Sequence, residues 1–144
     1  MFEKEINCPI LDPGLVLKSG NILVKTGNFT LVKIAGEISR PIYANTDMPA
    51  LVGSIAKDFQ SVFVFGVKYN AVTGLNEFIT TKGDDVAKLT KVKAENIPVL
   101  APEYATLGFL LVINETAGAF AGGSDLSTSG ITTIFVDNFG FVGY

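Results

Sequence analysis

At 144 residues, with 17% charged side chains and a formal net charge of −3, the chain fits one domain with a real core and carries no basic stripe for nucleic acid or an anionic membrane surface. Its mean hydropathy of +0.41 is high for a small protein that must clothe its surface in polar groups, so the excess apolar area is expected to be buried between subunits. The longest apolar runs, residues 62–65 and 109–113, are strand-length and far short of the roughly 20 residues a membrane-spanning helix needs.

Residues 1–21 read as an extended arm, because Pro9, Pro13, Gly14 and Gly20 interrupt any helical period. The opening Met-Phe-Glu-Lys-Glu-Ile puts acidic residues where a secretory signal needs positive charge and then an apolar stretch, so synthesis in a cytoplasm is expected. Cys8 is the sole cysteine, has no internal disulfide partner and reads as a small buried hydrophobe. Residues 22–26 and 29–34 are β-rich, and the Gly27-Asn28 pair between them suits a two-residue hairpin with positive φ angles. Both faces of 29–34 are partly apolar, which predicts a sheet covered on both sides. Residues 37–49 read as irregular, interrupted by Pro41 and Pro49. Two stretches, 50–58 and 84–92, are candidates for short helices, though neither has a strong apolar stripe.

The clearest pattern lies at 61–69 and 76–81, joined by Asn70-Ala-Val-Thr-Gly-Leu75. Val62, Val64 and Gly66 alternate with Phe63, Phe65 and Val67, predicting a strand buried on both faces. Residues 82–85 form a polar turn, and 97–102 an extended link fixed by Pro98 and Pro102. Residues 107–114 read as another central strand and 115–130 as a loop rich in Gly, Ser and Thr. Residues 131–137 form a strand with Ile131, Thr133, Phe135 and Asp137 on one face. The last seven residues, 138–144, carry Phe139, Phe141 and Tyr144, spaced by Gly140 and Gly143. An unneeded tail is polar, so Phe139, Phe141, Val142 and Tyr144 are candidate interface residues, with folding back onto the chain's own core as the alternative. The pattern predicts a single all-β domain over 1–144: a small antiparallel β-sandwich or barrel-like domain with an extended N-terminal arm (1–21) and an aromatic tail (138–144).

No histidine is present, which removes Ser-His-Asp and Cys-His catalysis and the commonest transition-metal ligand. A single cysteine builds no zinc or iron–sulfur centre, and no phosphate-binding loop follows a strand. Gly122-Gly123 reads as a plain turn rather than a phosphate cradle. Ser54-Ile-Ala-Lys57 and Lys25-Thr26-Gly27 match short motifs of penicillin-recognising enzymes, but in reversed order and in a chain too short for that fold. Asp84, Asp85, Glu115, Asp125 and Asp137 are the carboxylates available for acid–base work. All but Asp137 fall in predicted turns, where such residues are ordinary solvated groups. Asn28-Phe-Thr30 and Asn114-Glu-Thr116 fit the glycosylation pattern but lack a secretory context. No catalysis, cofactor or metal is expected.

From about residue 60 the sequence resembles a loose family of tailed-bacteriophage virion proteins encoded beside the major capsid protein. The residues that carry the resemblance are Ser61-Val-Phe-Val-Phe-Gly-Val-Lys-Tyr69, Ile97-Pro98 and Leu107-Gly-Phe-Leu-Leu-Val-Ile-Asn114, followed by Ala119-Phe-Ala-Gly-Gly-Ser-Asp-Leu126 and Ile131-Thr-Thr-Ile-Phe-Val-Asp137. It implies a head decoration or cement protein on the capsid surface of the virion, with the major capsid protein as partner and no catalytic motif to transfer. With the apolar excess, it leads to the expectation of a homo-oligomer, a trimer by analogy with the local threefold positions of shells. The rival expectations are a tail, connector or head-fibre component, or a small ligand- or glycan-binding β-domain. Absence of Trp weakens the last.

Overall fold

Two long strands organise the molecule, and their alternating side chains explain why. Strand β7 (Phe59–Asn70) puts Phe63, Phe65 and Val67 on one face and Val62 and Val64 on the other, and all five are buried. Strand β10 (Ala105–Asn114) runs antiparallel beside it, with Leu110 opposite Phe63 and Phe109 opposite Val64. In this computed structural model, residues 8–9, 11–34 and 37–137 are described. The tail 138–144, with the candidate interface residues Phe139, Phe141, Val142 and Tyr144, lies outside them, as do residues 1–7 of the arm.

The main sheet has the order β12-β10-β7-β8, with β8 spanning Leu75–Lys82 and β12 Ile131–Asp137, and the short β9 (Val86–Ala87) pairs with the start of β7. As expected, 61–69 and 76–81 form a hairpin. Asn70 accepts at its side-chain oxygen from the N–H of Val72 at 2.9 Å, and Gly74 takes the positive φ of 73° that the turn requires.

A second layer of short strands lies on the inner face. Strands β1 (Cys8–Pro9), β4 (Thr30–Ile34) and β5 (Glu37–Ile42) form one antiparallel sheet, and β2 (Leu15–Leu17) pairs with β3 (Val24–Thr26). The pair β6 (Ser54–Ile55) and β11 (Phe120–Ala121) closes one end. Val24, Val32, Ile42, Met48 and Ile55 meet Phe63, Phe65, Leu110 and Val112 in one core. The outer face carries a smaller cluster, where Val92, Ile97 and Leu100 from the link after β9 cover Val62, Val64 and Phe109. Gln60 ties that link down by donating to the carbonyls of Ala87 and Thr90. The fold is therefore all-β, a small antiparallel sandwich whose sheets end in edges rather than closing into a barrel. Among the described residues, no helix is long and apolar enough to cross a membrane.

Several local expectations are corrected. Residues 22–26 and 29–34 do not form a hairpin with each other: β3 pairs with β2, and β4 with β1 and β5. Gly27 and Asn28 lack the positive φ such a turn demands, whereas Gly20 (94°) and Asn21 (54°) supply it for the β2–β3 turn. Gly27 instead donates to the carbonyls of Pro13 and Gly14. Residues 37–42 form strand β5 rather than irregular chain, because Pro41 lies on an edge strand, where its missing N–H removes no needed bond. Neither 50–58 nor 84–92 is helical. The first holds β6 and left-handed Gly53 (φ 73°) and Asp58 (φ 65°), and the second holds β9. The only helical turn among the described residues is 3-10, at Ala94–Asn96. Residues 11–21 run largely extended, yet they do not stand apart from the body: Leu15 and Leu17 pack against the main core. Cys8 is half-buried in β1.

Candidate functional site

The carboxylates singled out by type do not converge. Asp85 pairs with Lys82 at 2.5 Å, and Asp84 accepts from Asn96 at 3.4 Å. Glu115 and Asp58 flank Lys88 at 3.5 and 3.2 Å. The Lys88 ammonium is held above its ordinary range, first by the hydrogen bond it donates to Asp58 and then by that carboxylate's charge. Asp125 is held below its ordinary range by the Ser127 hydroxyl and then by the Ser127 N–H. Asp137 is the last residue of β12. Among the described residues, no group of three or more His, Cys, Asp and Glu side chains could hold a metal ion.

Three of the motif residues serve the fold. Thr26 is buried, donates its hydroxyl to the Tyr43 carbonyl at 2.8 Å and accepts the Thr46 N–H at 3.0 Å. Gly122 donates to the Gly53 carbonyl at 2.7 Å and lies against the Leu51–Val52 backbone, so it is a close-approach glycine. Asn114 is fully buried, which disposes of its glycosylation pattern.

What the fold does present is an edge. Sheet edges offer unpaired backbone groups to other chains, and proteins blunt them with charges, prolines or covering segments. Strand β8 carries Glu77 and Lys82 and is strapped by the 41–49 segment, to whose Pro41 and Pro49 carbonyls Asn76 and Thr80 donate. Strand β5 contains Pro41, and β3 is covered by residues 45–48: the Asn45 N–H donates to the Thr26 carbonyl, the Thr26 N–H to Thr46 and the Met48 N–H to Val24. Strand β12 has none of these guards. It is seven residues long, reads Ile-Thr-Thr-Ile-Phe-Val-Asp, and has no charge before Asp137. Among the described strands, nothing lies beyond it.

The ladder fixes which groups of β12 face outward. Glu115 N–H bonds to the Gly130 carbonyl at 2.7 Å, so with the register Ile113↔Thr132 and Leu111↔Ile134 the residues bonded to β10 are 132, 134 and 136. The β7–β8 ladder agrees, because Gly83 bonds to Val62 and the even positions of β7 therefore face β8. Thr133 and Phe135 consequently turn their backbone N–H and C=O groups away from the sheet. Ile131 does so too, but its N–H is taken by the Thr128 carbonyl at 2.9 Å.

Clefts flank this edge on both faces. On the inner side one of about 210 Å³ has a mixed lining of Asp12, Gly14, Leu15, Leu107, Gly108, Phe135 and Val136. On the outer side a groove of about 90 Å³ is lined by Val62, Val92, Phe109, Leu111 and Val136, and Ile134 beside it is 46% exposed. Residues 131–137 are legible as a strand in the sequence. Its position at an unguarded edge is not, although the absence of charge over six consecutive strand residues is the signal that points there. Comparisons of the chain with family models, with curated proteins and with solved structures found no match.

Proposed function

We propose that the chain is a non-catalytic structural protein of a tailed-phage virion, a head decoration or cement protein that binds the major capsid protein and works through protein–protein contacts. The observation that carries this reading is the β12 edge, which bears no charge before Asp137, has no described strand beyond it and is flanked by a cleft on each face, the outer one apolar. An edge of that kind adds a partner strand by main-chain hydrogen bonds, while flanking apolar surface supplies affinity. The high mean hydropathy supports the same reading, since it leaves more apolar surface than an isolated domain of this size needs. The larger of these two clefts, about 210 Å³, is below the roughly 300–1,000 Å³ usual for small-molecule sites, so neither of them has the size of an ordinary ligand pocket. The shell assignment rests on the resemblance of residues 60–137 to phage virion proteins.

The experiment is to purify particles of the phage that encodes the chain, measure its copy number against the major capsid protein, and add purified protein to shells lacking it. Many copies per shell and saturable rebinding are expected. Absence from particles, or a copy number that fits only a tail or a single vertex, contradicts the decoration role.

A further inference from the structure

We infer that the partner added at the β12 edge is a second copy of this chain, paired strand to strand about a two-fold axis at Ile134. The inference rests on the reading of this edge as a protein-binding site, and it names the occupant.

The backbone of this edge can pair with a copy of itself, and the axis at Ile134 is the register tested below. An antiparallel two-fold pair matches residue i with residue j at a constant sum, and hydrogen bonds form only where both residues turn their backbone groups outward. Centring the axis on Ile134 sets Thr133 opposite Phe135 of the second copy, and Phe135 opposite Thr133. These are the residues whose N–H and C=O groups face away from β10. Both pairs then exchange both of their bonds.

Side chains agree with that register. Thr132, Ile134 and Val136 lie on the outer face, since they sit opposite Ile113, Leu111 and Phe109. Ile134 meets Ile134 across the axis, and Thr132 meets Val136, which are β-branched and apolar pairs of the kind that stabilise adjacent strands. Asp137 falls opposite Ile131 and not opposite its own counterpart, so no like charges are brought together. The edges carrying β8 or β5 offer no such match, because Glu77, Lys82 and Pro41 interrupt them. Pairing also joins the outer-face strip of Leu111, Ile134 and Val136 to its copy, making one apolar surface across two protomers. With the edge taken up between copies, the outer-face apolar strip is the surface left for a shell, once on each protomer, and two-point attachment gains avidity.

Cysteine cross-linking reads the register directly. In a Cys8→Ser background, Ile134→Cys is placed at a non-hydrogen-bonded pair with Cα atoms about 4.5 Å apart, inside the roughly 4.4–6.8 Å that a disulfide spans. Oxidation at micromolar protein should give a species of twice the 15.3 kDa chain mass. Thr132→Cys, facing Val136 of the second copy, should remain unlinked under the same conditions. Sedimentation equilibrium should find a dimer for the unmodified protein and a monomer for Ile134→Lys, whose exposed position lets the fold persist by far-ultraviolet circular dichroism. Failure of Ile134→Cys to link, equal linking by Thr132→Cys, a trimer, or a dimer indifferent to Ile134→Lys overturns the inference. Linking by Ile134→Cys that appears only after truncation behind Asn138 also overturns it, in favour of the chain's own tail as occupant. Shell binding measured in parallel separates the two claims. A monomer that binds shells through an intact edge overturns the second-copy inference and leaves the protein-binding reading standing. A register-correct dimer that binds no shell upholds the inference and removes the shell assignment.

Discussion

Asn114 donates its side-chain amide to the carbonyl of Ile55, fifty-nine residues earlier, at 2.9 Å. The same amide reaches the Gly118 carbonyl, and its oxygen accepts the Thr116 N–H and hydroxyl. One buried side chain thus joins the end of β10, the start of the 115–130 loop and strand β6. Asn114→Ala takes this donor from the Ile55 carbonyl and the acceptor from the Thr116 N–H, while the Gly118 carbonyl keeps the Thr116 hydroxyl, at about 1–3 kcal/mol for each group left dry and unpaired. Chemical denaturation should show a loss in that range, and a change below about 0.5 kcal/mol, the size of an ordinary surface substitution, would contradict this role.

Strand β7 is buried on both faces: Phe65 is 0% exposed in the main core and Val64 1% exposed under the outer link. An aspartate at either position has no cationic partner, so Phe65→Asp and Val64→Asp should each cost more than about 4 kcal/mol and prevent folding. Soluble expression with a native-like circular dichroism spectrum for Val64→Asp would mean that the 88–104 link does not cover the sheet.

Two glycines in one loop should respond in opposite ways. A Cβ on Gly122 would sit 2.7 Å from the Leu51 carbonyl carbon and 2.9 Å from that of Val52, and backbone cannot step aside cheaply. Gly122→Ala should cost on the order of 1–3 kcal/mol. Gly118 has nothing within 4 Å, so Gly118→Ala should be neutral or stabilise by up to about 1 kcal/mol through the unfolded chain. Melting temperatures of the two variants, measured side by side, check the contrast.

The Asp125 turn carries Leu126 into the core, where Leu126 N–H bonds to the Asn21 carbonyl at 2.7 Å. Because the Ser127 hydroxyl and N–H favour the charged carboxylate, the folded protein holds Asp125 below its ordinary value. A depressed carboxyl contributes stability that is present above its unfolded pKa and is lost as pH falls through the folded one. Ser127→Ala removes the largest cause, so an NMR titration should find Asp125 moved upward, with less of the acid-side loss. An unchanged Asp125 titration in the variant would contradict this account.

Legibility in the sequence followed how local the determining physics is. Strands β7, β8, β10 and β12 are visible as alternating or continuous apolar runs, because a strand buried in a sheet writes its environment onto every residue. The 50–58 stretch reads as weakly helical because its decisive features are long-range: Ile55 pairs with Phe120, and Gly53 and Asp58 adopt left-handed angles. Gly27-Asn28 looks like a hairpin turn by composition, yet its partner is the Pro13–Gly14 backbone. The same limit applies to the arm, whose Pro and Gly spacing excludes a helix but does not reveal that Leu15 seals the cleft beside Gly108. The edge behaves likewise, since composition reports that β12 carries no charge before Asp137 while only topology reports that no described strand lies beyond it.

The central claim is that β12 works by adding a protein strand, and amide hydrogen exchange along this one strand tests it most directly. Protein diluted until it is monomeric should exchange rapidly at Thr133 and Phe135, whose N–H groups face outward, and slowly at Ile134, which bonds to β10. In protein assembled on particles, Thr133 and Phe135 should slow by at least about tenfold, corresponding to roughly 1.4 kcal/mol of added protection. Thr133 and Phe135 amides that exchange as fast on the particle as in dilute solution would contradict the account.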